Sequence, residues 1–305
     1  MSKKATYLLG ILATLIIGCF LYHRFCCASC DNSCPKKDII VIRSPDSTAL
    51  HPTYPFALKG NDFHFATQNN FNFLKNDFKK LLPVDDSITL GVNSLKAFLE
   101  KNTSTLKITG FARNDEVNNS IFPNLGYARA NDVKNYFIAQ GIPSAKIEIN
   151  GSIIDTLAHT NETLLGPVTF DLIKKAVSET KPDSDWGAIK TQLNSNPLTL
   201  YFNTGQTQIA LTETNRQKIA DMIHYIDHVE NAKLDVVGYT DNIGNRETNI
   251  HIGQQRADFA KNHLIQNGVA PDKINSSSKG PDDPLQSNTT KEGQAKNRRT
   301  VITIH

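Results

Sequence analysis

Cysteine is absent from most of this chain of 305 residues: all five fall between Cys19 and Cys34. The body beyond position 34 therefore folds without disulfides, and a thiol-free body suits an oxidising compartment, although it would also suit the cytoplasm. Charge imbalance is also missing. Lys and Arg total 33 against 30 Asp and Glu, a formal net charge of +3, which gives no bulk attraction for nucleic acid. There is no Gly-rich phosphate loop, nucleophile elbow or paired-carboxylate motif, so the common hydrolase and nucleotide-binding classes have no foothold. Cys26, Cys27, Cys30 and Cys34 have spacings that a metal site can use, but no histidine or further cysteine cluster follows them. Intermolecular disulfides or plain thiols fit them better, and neither a metal nor a cofactor is expected.

Long apolar runs are scarce too, with one exception. Ala5 to Tyr22 carries no charge, follows Lys3 and Lys4, and precedes His23 and Arg24. Its length is about 27 Å as a helix, close to a hydrocarbon core. Lysines before it favour a cytoplasmic N-terminus with the rest of the chain outside. Ile16-Ile17-Gly18-Cys19 also resembles a lipoprotein cleavage site, although Phe20-Leu21-Tyr22 prolongs the apolar run past it. Residues 1–24 are thus read as a membrane anchor, either a transmembrane helix or a lipoprotein signal. Residues 25–55, polar and carrying Pro35, Pro45, Pro52 and Pro55, read as a stalk, with an end-to-end distance of roughly 30 Å when coiled.

The remainder contains a two-fold repeat. Leu234 to Gly238 reads as a strand, followed by a polar loop, a helix over 249–267 closed by Gly268, and a strand near 273–277. Leu106 to Gly110 starts the same series, with a helix closed by Gly141 and a strand over 146–150. Gly253, Ala257, Ala260, Leu264 and Gly268 stand opposite Gly126, Ala130, Val133, Phe137 and Gly141 at a constant offset of 127. Gly238 against Gly110 gives 128, so the first loop is longer by one residue. A further helix precedes each series; in the second, from about 213 to 229, Ile219, Met222, Ile223, Ile226 and Val229 share a face. Val168 to Leu172 and Thr300 to Ile304 read as closing strands. Helices crossing between strands predict an α/β two-layer sandwich with a small, partly parallel sheet, built twice.

The loop after Gly238 reads Tyr239-Thr240-Asp241-Asn242-Ile243-Gly244, then Asn249 and Arg256-Ala257, and the run Asn288 to Arg299 closes on Asn297-Arg298-Arg299. This set resembles the OmpA-like domain, the peptidoglycan-binding module shared with peptidoglycan-associated lipoproteins and flagellar stator proteins. Tyr239 and Gly253 depart from the family's usual histidine and serine. The resemblance covers the second copy and implies a β-α-β-α-β-β fold, which the repeat doubles into two tandem copies, and a site for the diaminopimelate of a peptidoglycan stem peptide. Asp241 would take the ammonium and Arg256 the carboxylate, with Thr240, Asn249 and Asn203 as further peptidoglycan-binding residues. A carboxylate and a guanidinium a few ångströms apart suit a ligand bearing both charges, because charge-assisted hydrogen bonds are strong and directional.

Residues 56–173 read as a degenerate OmpA-like domain, since Arg113 replaces the aspartate while Arg129 keeps the arginine; 174–195 reads as a linker, and 196–305 as the binding domain. Asn297, Arg298 and Arg299 are assigned to the family signature or to the sheet edge. His224 and His228 resemble a zinc-protease helix, but Tyr225 stands where glutamate is needed, and both histidines are placed on the solvent side. The expected protein is a non-enzymatic tether between an envelope membrane and the wall, its body in the periplasm. The alternative is an assembly scaffold whose tandem domains form a homo-oligomer.

Overall fold

The computed structural model describes residues 54–60, 62–174 and 185–305. The anchor and nearly all of the stalk lie outside them. No helix among the described residues is long and apolar enough to cross a membrane. The elements are β1 (Phe56–Gly60), β2 (Phe63–Thr67), β3 (Phe73–Leu74), α1 (Asp86–Leu99), β4 (Thr105–Ala112), α2 (Leu125–Ala139), β5 (Ile147–Ile153), β6 (His159–Thr160), β7 (Thr163–Leu164) and β8 (Val168–Ile173). They continue with α3 (Trp186–Ser195), β9 (Leu198–Tyr201), α4 (Glu213–His228), β10 (Leu234–Tyr239), α5 (Arg246–Gln266), β11 (Ile274–Gly280), α6 (Lys291–Asn297) and β12 (Arg299–Ile304).

The first half has a five-stranded sheet, β2-β1-β8-β4-β5, and the second a four-stranded sheet, β11-β10-β12-β9. In each, the central strand pairs parallel with the strand beyond its crossover helix and antiparallel with the closing strand: β4 with β5 and β8, β10 with β11 and β12. The edges differ. β9 runs antiparallel to β12, whereas β1 runs parallel to β8 and carries the hairpin partner β2.

One face of each sheet is covered by helices. Along β4 the buried residues are Leu106, Ile108, Gly110 and Ala112, alternating with half-buried ones, as expected of a strand with one covered face. Val92, Leu95 and Leu99 of α1 and Ala130, Val133 and Phe137 of α2 pack against that face. In the second half Ile219, Met222, Ile223 and Ile226 of α4 and Ala257, Ala260 and Leu264 of α5 cover Leu234, Val236 and Ile302. Each such large aliphatic side chain contributes about 1.5–3 kcal/mol when fully buried. Thr212 and Asn215 start α4 with reciprocal side-chain-to-backbone bonds of 3.2 and 3.1 Å, a capping box that fixes where the helix begins.

Glycine sets how closely α5 lies on β10. A Cβ on Gly238 would stand 1.8 Å from the Gly253 carbonyl oxygen, and one on Gly110 would stand 2.0 Å from that of Gly126. At both crossings backbone meets backbone, which only glycine permits. The segment read as a linker contains α3, whose Trp186, Ile189 and Leu193 pack on the second half's core. Residues 51–305 form one compact unit. Ile121, Phe122 and Ala128 of the first half, all at 0% exposure, belong to the apolar cluster of the second.

Candidate functional site

β10 ends beside a register slip. It pairs evenly with β11 from Leu234↔Ile274 to Gly238↔Ser278, then jumps so that Tyr239 faces Gly280. A slip of this kind re-aims the residues that follow. β4 and β5 run on in register from Leu106↔Ile147 to Ala112↔Ile153. After the slip, Thr240 donates its amide to the Gly280 carbonyl at 2.9 Å and its hydroxyl to the Asp241 carbonyl at 2.8 Å. Asp241, 7% exposed, accepts from the Ile243 amide at 3.2 Å through Oδ1. Its Oδ2 accepts from Arg298 Nη1 at 2.8 Å. The carboxylate thus sits at the C-terminal end of a central strand, a usual place for ligand groups in α/β sheets.

Arg256 is 1% exposed, so its side chain is sealed inside the fold. Its guanidinium donates to three backbone carbonyls: Nε to Gln206 at 2.9 Å, Nη1 to Tyr239 at 3.0 Å and Nη2 to Asn203 at 3.4 Å. It also lies 5.0 Å from the Phe202 ring centroid. A planar fork with five donors can serve three acceptors at once, which an ammonium matches poorly. Burial first, and the Arg298 charge second, push Arg256 down to about 10 against the opposing pull of Asp241; it remains charged at neutral pH. Among the described residues its ion pairs include no carboxylate within 4.0 Å.

Arg129 occupies the matching place in the first half. Its Nε donates to the Asp77 carbonyl at 3.0 Å, Nη1 to Phe111 at 2.9 Å and Nη2 to Leu74 at 3.4 Å, with Phe73 beneath it at 5.6 Å. Those partners precede the partners of Arg256 by 128 or 129 positions, the same bonds made by the same nitrogens. Glu116 makes the difference. Both of its oxygens accept from Arg129, and its side chain is 1% exposed. The Arg113 and Asn76 amides also donate to it. An offset of 127 or 128 sets Ile243 or Gly244 opposite Glu116, and neither carries a carboxylate. Arg113, which stands where the second half has Asp241, turns to Asp115 at 2.9 Å.

Asn249, 5% exposed, donates to the Ile243 carbonyl at 3.0 Å and ties the loop to α5. Asn245, not Asn249, caps that helix, accepting from the Glu247 amide at 2.7 Å. Asn203 reaches the site through its backbone: its side chain is exposed, while its carbonyl receives Arg256. The closing arginines are not sheet-edge residues. Arg298 serves Asp241 and the Phe202 carbonyl at 3.1 Å. Arg299, 6% exposed, stacks on Tyr239 at 3.8 Å. Asn297, fully buried, bonds the Gln286 amide and carbonyl at 2.9 and 2.8 Å and pins the preceding loop. The signal that pointed to Arg298 was its membership of the closing signature; its spacing of 57 residues from Asp241 carried none.

The second half thus presents, at one end of a four-stranded, helix-covered sheet, a buried aspartate beside two arginines. Residues 201–298 match the OmpA family, and that segment is an OmpA family domain. The chain is 44% identical over 71 residues to the probable lipoprotein YiaD of Escherichia coli (strain K12), covering 23% of this chain and 32% of that protein. It is 42% identical over 74 residues to the peptidoglycan-binding protein ArfA of Mycobacterium tuberculosis (strain ATCC 25618 / H37Rv), 24% of this chain and 23% of that one. With the peptidoglycan-associated lipoprotein of Buchnera aphidicola subsp. Baizongia pistaciae it shares 31% over 104 residues, 34% of this chain and 59% of that protein. The chain therefore spans only part of the length of each of these relatives. Among solved structures, the C-terminal domain of Helicobacter pylori MotB aligns with 36% of this chain and 84% of its own, at 26% identity and a TM-score of 0.32.

Proposed function

We propose that residues 196–305 hold peptidoglycan non-covalently by the diaminopimelate of its stem peptide, and that the chain thereby tethers an envelope membrane to the wall from the periplasmic side, without catalysis. The observation that carries this reading is the pair Asp241–Arg298 beside a second guanidinium, Arg256, that has no carboxylate within 4.0 Å among the described residues. A zwitterionic end group suits this arrangement because it can exchange one ion pair for two. Its ammonium replaces Arg298 at Asp241, and its carboxylate takes Arg298 and the edge of Arg256. A ligand of single charge would leave a buried group unpaired, at a cost of several kcal/mol per ion. Two relatives are named for peptidoglycan, which supports the choice of polymer. Thr240 and Asn249 shape the loop, and Asn203 contributes its carbonyl.

The first half, in this reading, is a copy of the same fold whose arginine is served internally by Glu116, so it supports the second half and does not bind the wall. The membrane anchor rests on the run from Ala5 to Tyr22. Sedimentation with purified sacculi tests the assignment. Asp241→Ala and Arg298→Ala should each leave most of the protein in the supernatant, while Arg113→Ala pellets like the unmodified chain. Unchanged pelleting of the Asp241→Ala, Arg298→Ala double variant would show the site to be wrongly placed.

A further inference from the structure

Three side chains of metal-ligating type from distant stretches converge where the two halves meet. Glu148 stands on β5, and His224 and His228 stand one turn apart on α4. His228 Nε2 lies 3.0 Å from Glu148 Oε1, and His224 Nδ1 lies 3.6 Å from Glu148 Oε2. One ligand atom of each residue lies within 4.8 Å of the other two. Tetrahedral zinc with bonds near 2.0–2.2 Å holds its ligand atoms roughly 3.3 Å apart, a value these two distances bracket.

The orientation of the His228 ring supplies a second argument. Its Nδ1 lies 2.8 Å from the His224 carbonyl oxygen. A carbonyl only accepts, so Nδ1 carries a proton and Nε2 is the atom left to face Glu148. That atom is buried and makes no hydrogen bond of acceptable geometry, on a side chain only 10% exposed; the sequence had placed this histidine in solvent. Nε2 and the Glu148 oxygen, 3.0 Å apart, can share either a proton or a metal ion between them. Metal-bound histidines commonly donate their second nitrogen to a backbone carbonyl, the bond seen here.

The surroundings favour an ion. Trp186 stacks on His228 at 5.3 Å and screens one side. A cleft of about 500 Å³ lined by Ser144, Asp227 and His228 opens the other. Lys134, the neighbouring cation, is paired with Asp227, which offsets its charge. His224 and Glu148, each 41% exposed, leave a fourth coordination position toward solvent.

We propose that Glu148, His224 and His228 bind a divalent first-row transition-metal ion, zinc being the best match to two imidazoles and one carboxylate, and that the ion clamps the two halves together. Imidazole ligands select against magnesium and calcium, which favour oxygen. The clamp joins residues 76 positions apart in sequence, Glu148 to His224.

Trp186 is the chain's single tryptophan and reports on the site directly. The full chain, its cysteines alkylated so that thiols take no part, is titrated with Co²⁺ while tryptophan emission is followed. Saturable quenching is expected below about 100 µM, reversed by Zn²⁺ and unaffected by Mg²⁺. Glu148→Gln and His224→Ala, both at partly exposed positions that can change without unfolding the chain, should weaken it at least tenfold, and Zn²⁺ should raise the melting temperature of the unmodified chain but of neither variant. Absence of saturable quenching, or equal affinity in the unmodified chain and both variants, would overturn the proposal and leave a proton-bridged His228–Glu148 pair.

Discussion

Glu116 grips Arg129 with both carboxylate oxygens, and the two side chains are 1% and 0% exposed. Burial pushes the Glu116 carboxyl up, but hydrogen bonds and charge from Arg129 and the Arg113 and Asn76 amides outweigh it, so it ionises below its ordinary 4.5. The folded state therefore binds this proton less readily than the unfolded chain. Its contribution to stability is fully present above pH 4.5 and is lost as pH falls through the depressed folded value. Glu116→Ala should cost about 3–5 kcal/mol at pH 7, since one partner of a buried pair is left alone. Urea titrations at several pH values should also show a shallower loss of stability below pH 4.5 in the variant. Parallel pH profiles would mean that Glu116 does not carry this charge.

Arg256 and Arg298 differ in what they support. The first joins three carbonyls from inside the fold, whereas the second, its side chain 14% exposed, neutralises Asp241 near the surface. Arg256→Lys should lose about 2–4 kcal/mol, because an ammonium cannot span three acceptors held for a fork. Arg298→Lys should cost less than Arg256→Lys, because lysine keeps the charge facing Asp241 and gives up only the bond to the Phe202 carbonyl, yet pellet less with sacculi. Thermal unfolding beside sacculus sedimentation separates the two effects, and equal destabilisation of both variants would contradict the distinction.

The glycines at the β10–α5 crossing are not equivalent either. A methyl on Gly238 meets the Gly253 carbonyl at 1.8 Å, which is backbone and cannot turn aside. A Cβ on Gly253 meets first the Ser278 hydroxyl at 2.2 Å, the end of a side chain that can rotate, with the Gly238 carbonyl at 3.1 Å behind it. Gly238→Ala should cost at least about 3 kcal/mol, and Gly253→Ser less than about 1.5 kcal/mol. Urea midpoints in the reverse order would show that the helix, not the strand, sets this spacing.

Much of this architecture was legible because it depends on neighbours in sequence. The helix seam from Gly253 to Gly268, the alternation along β4 and the apolar face of α4 each follow a local period. Asp241 stood out because it belongs to a dense loop motif. Arg298, Glu116 and the Glu148–His228 contact did not, since each acts across a distance in sequence that no period encodes. Placing His228 toward solvent followed from its position opposite the apolar face of α4; Trp186, from a segment read as a linker, covers it. The β1–β2 edge of the first sheet was missed for a related reason: an added edge strand changes no pattern in the core strands beside it.

The segment joining the halves was expected to act as a linker, but the contacts between them are those of a core. Asn267, 4% exposed, accepts from the Ile121 amide at 3.2 Å through its side chain and from Asn131 at 3.0 Å through its carbonyl. Arg216 reaches the Ser120 carbonyl at 2.9 Å, and Ile121 and Phe122 are fully buried against the second half. Breaking this joint exposes apolar surface and strands buried polar groups together, so neither half should open alone at equilibrium. Unfolding in urea should be a single transition, with Trp186 emission reporting the second half and amide exchange along β4 reporting the first at the same midpoint. Asn267→Ala, which orphans the Ile121 amide, should lower both midpoints together by an amount equivalent to about 1–3 kcal/mol. If Trp186 reported a transition separate from that of β4, the joint would be an ordinary domain contact between independently stable halves.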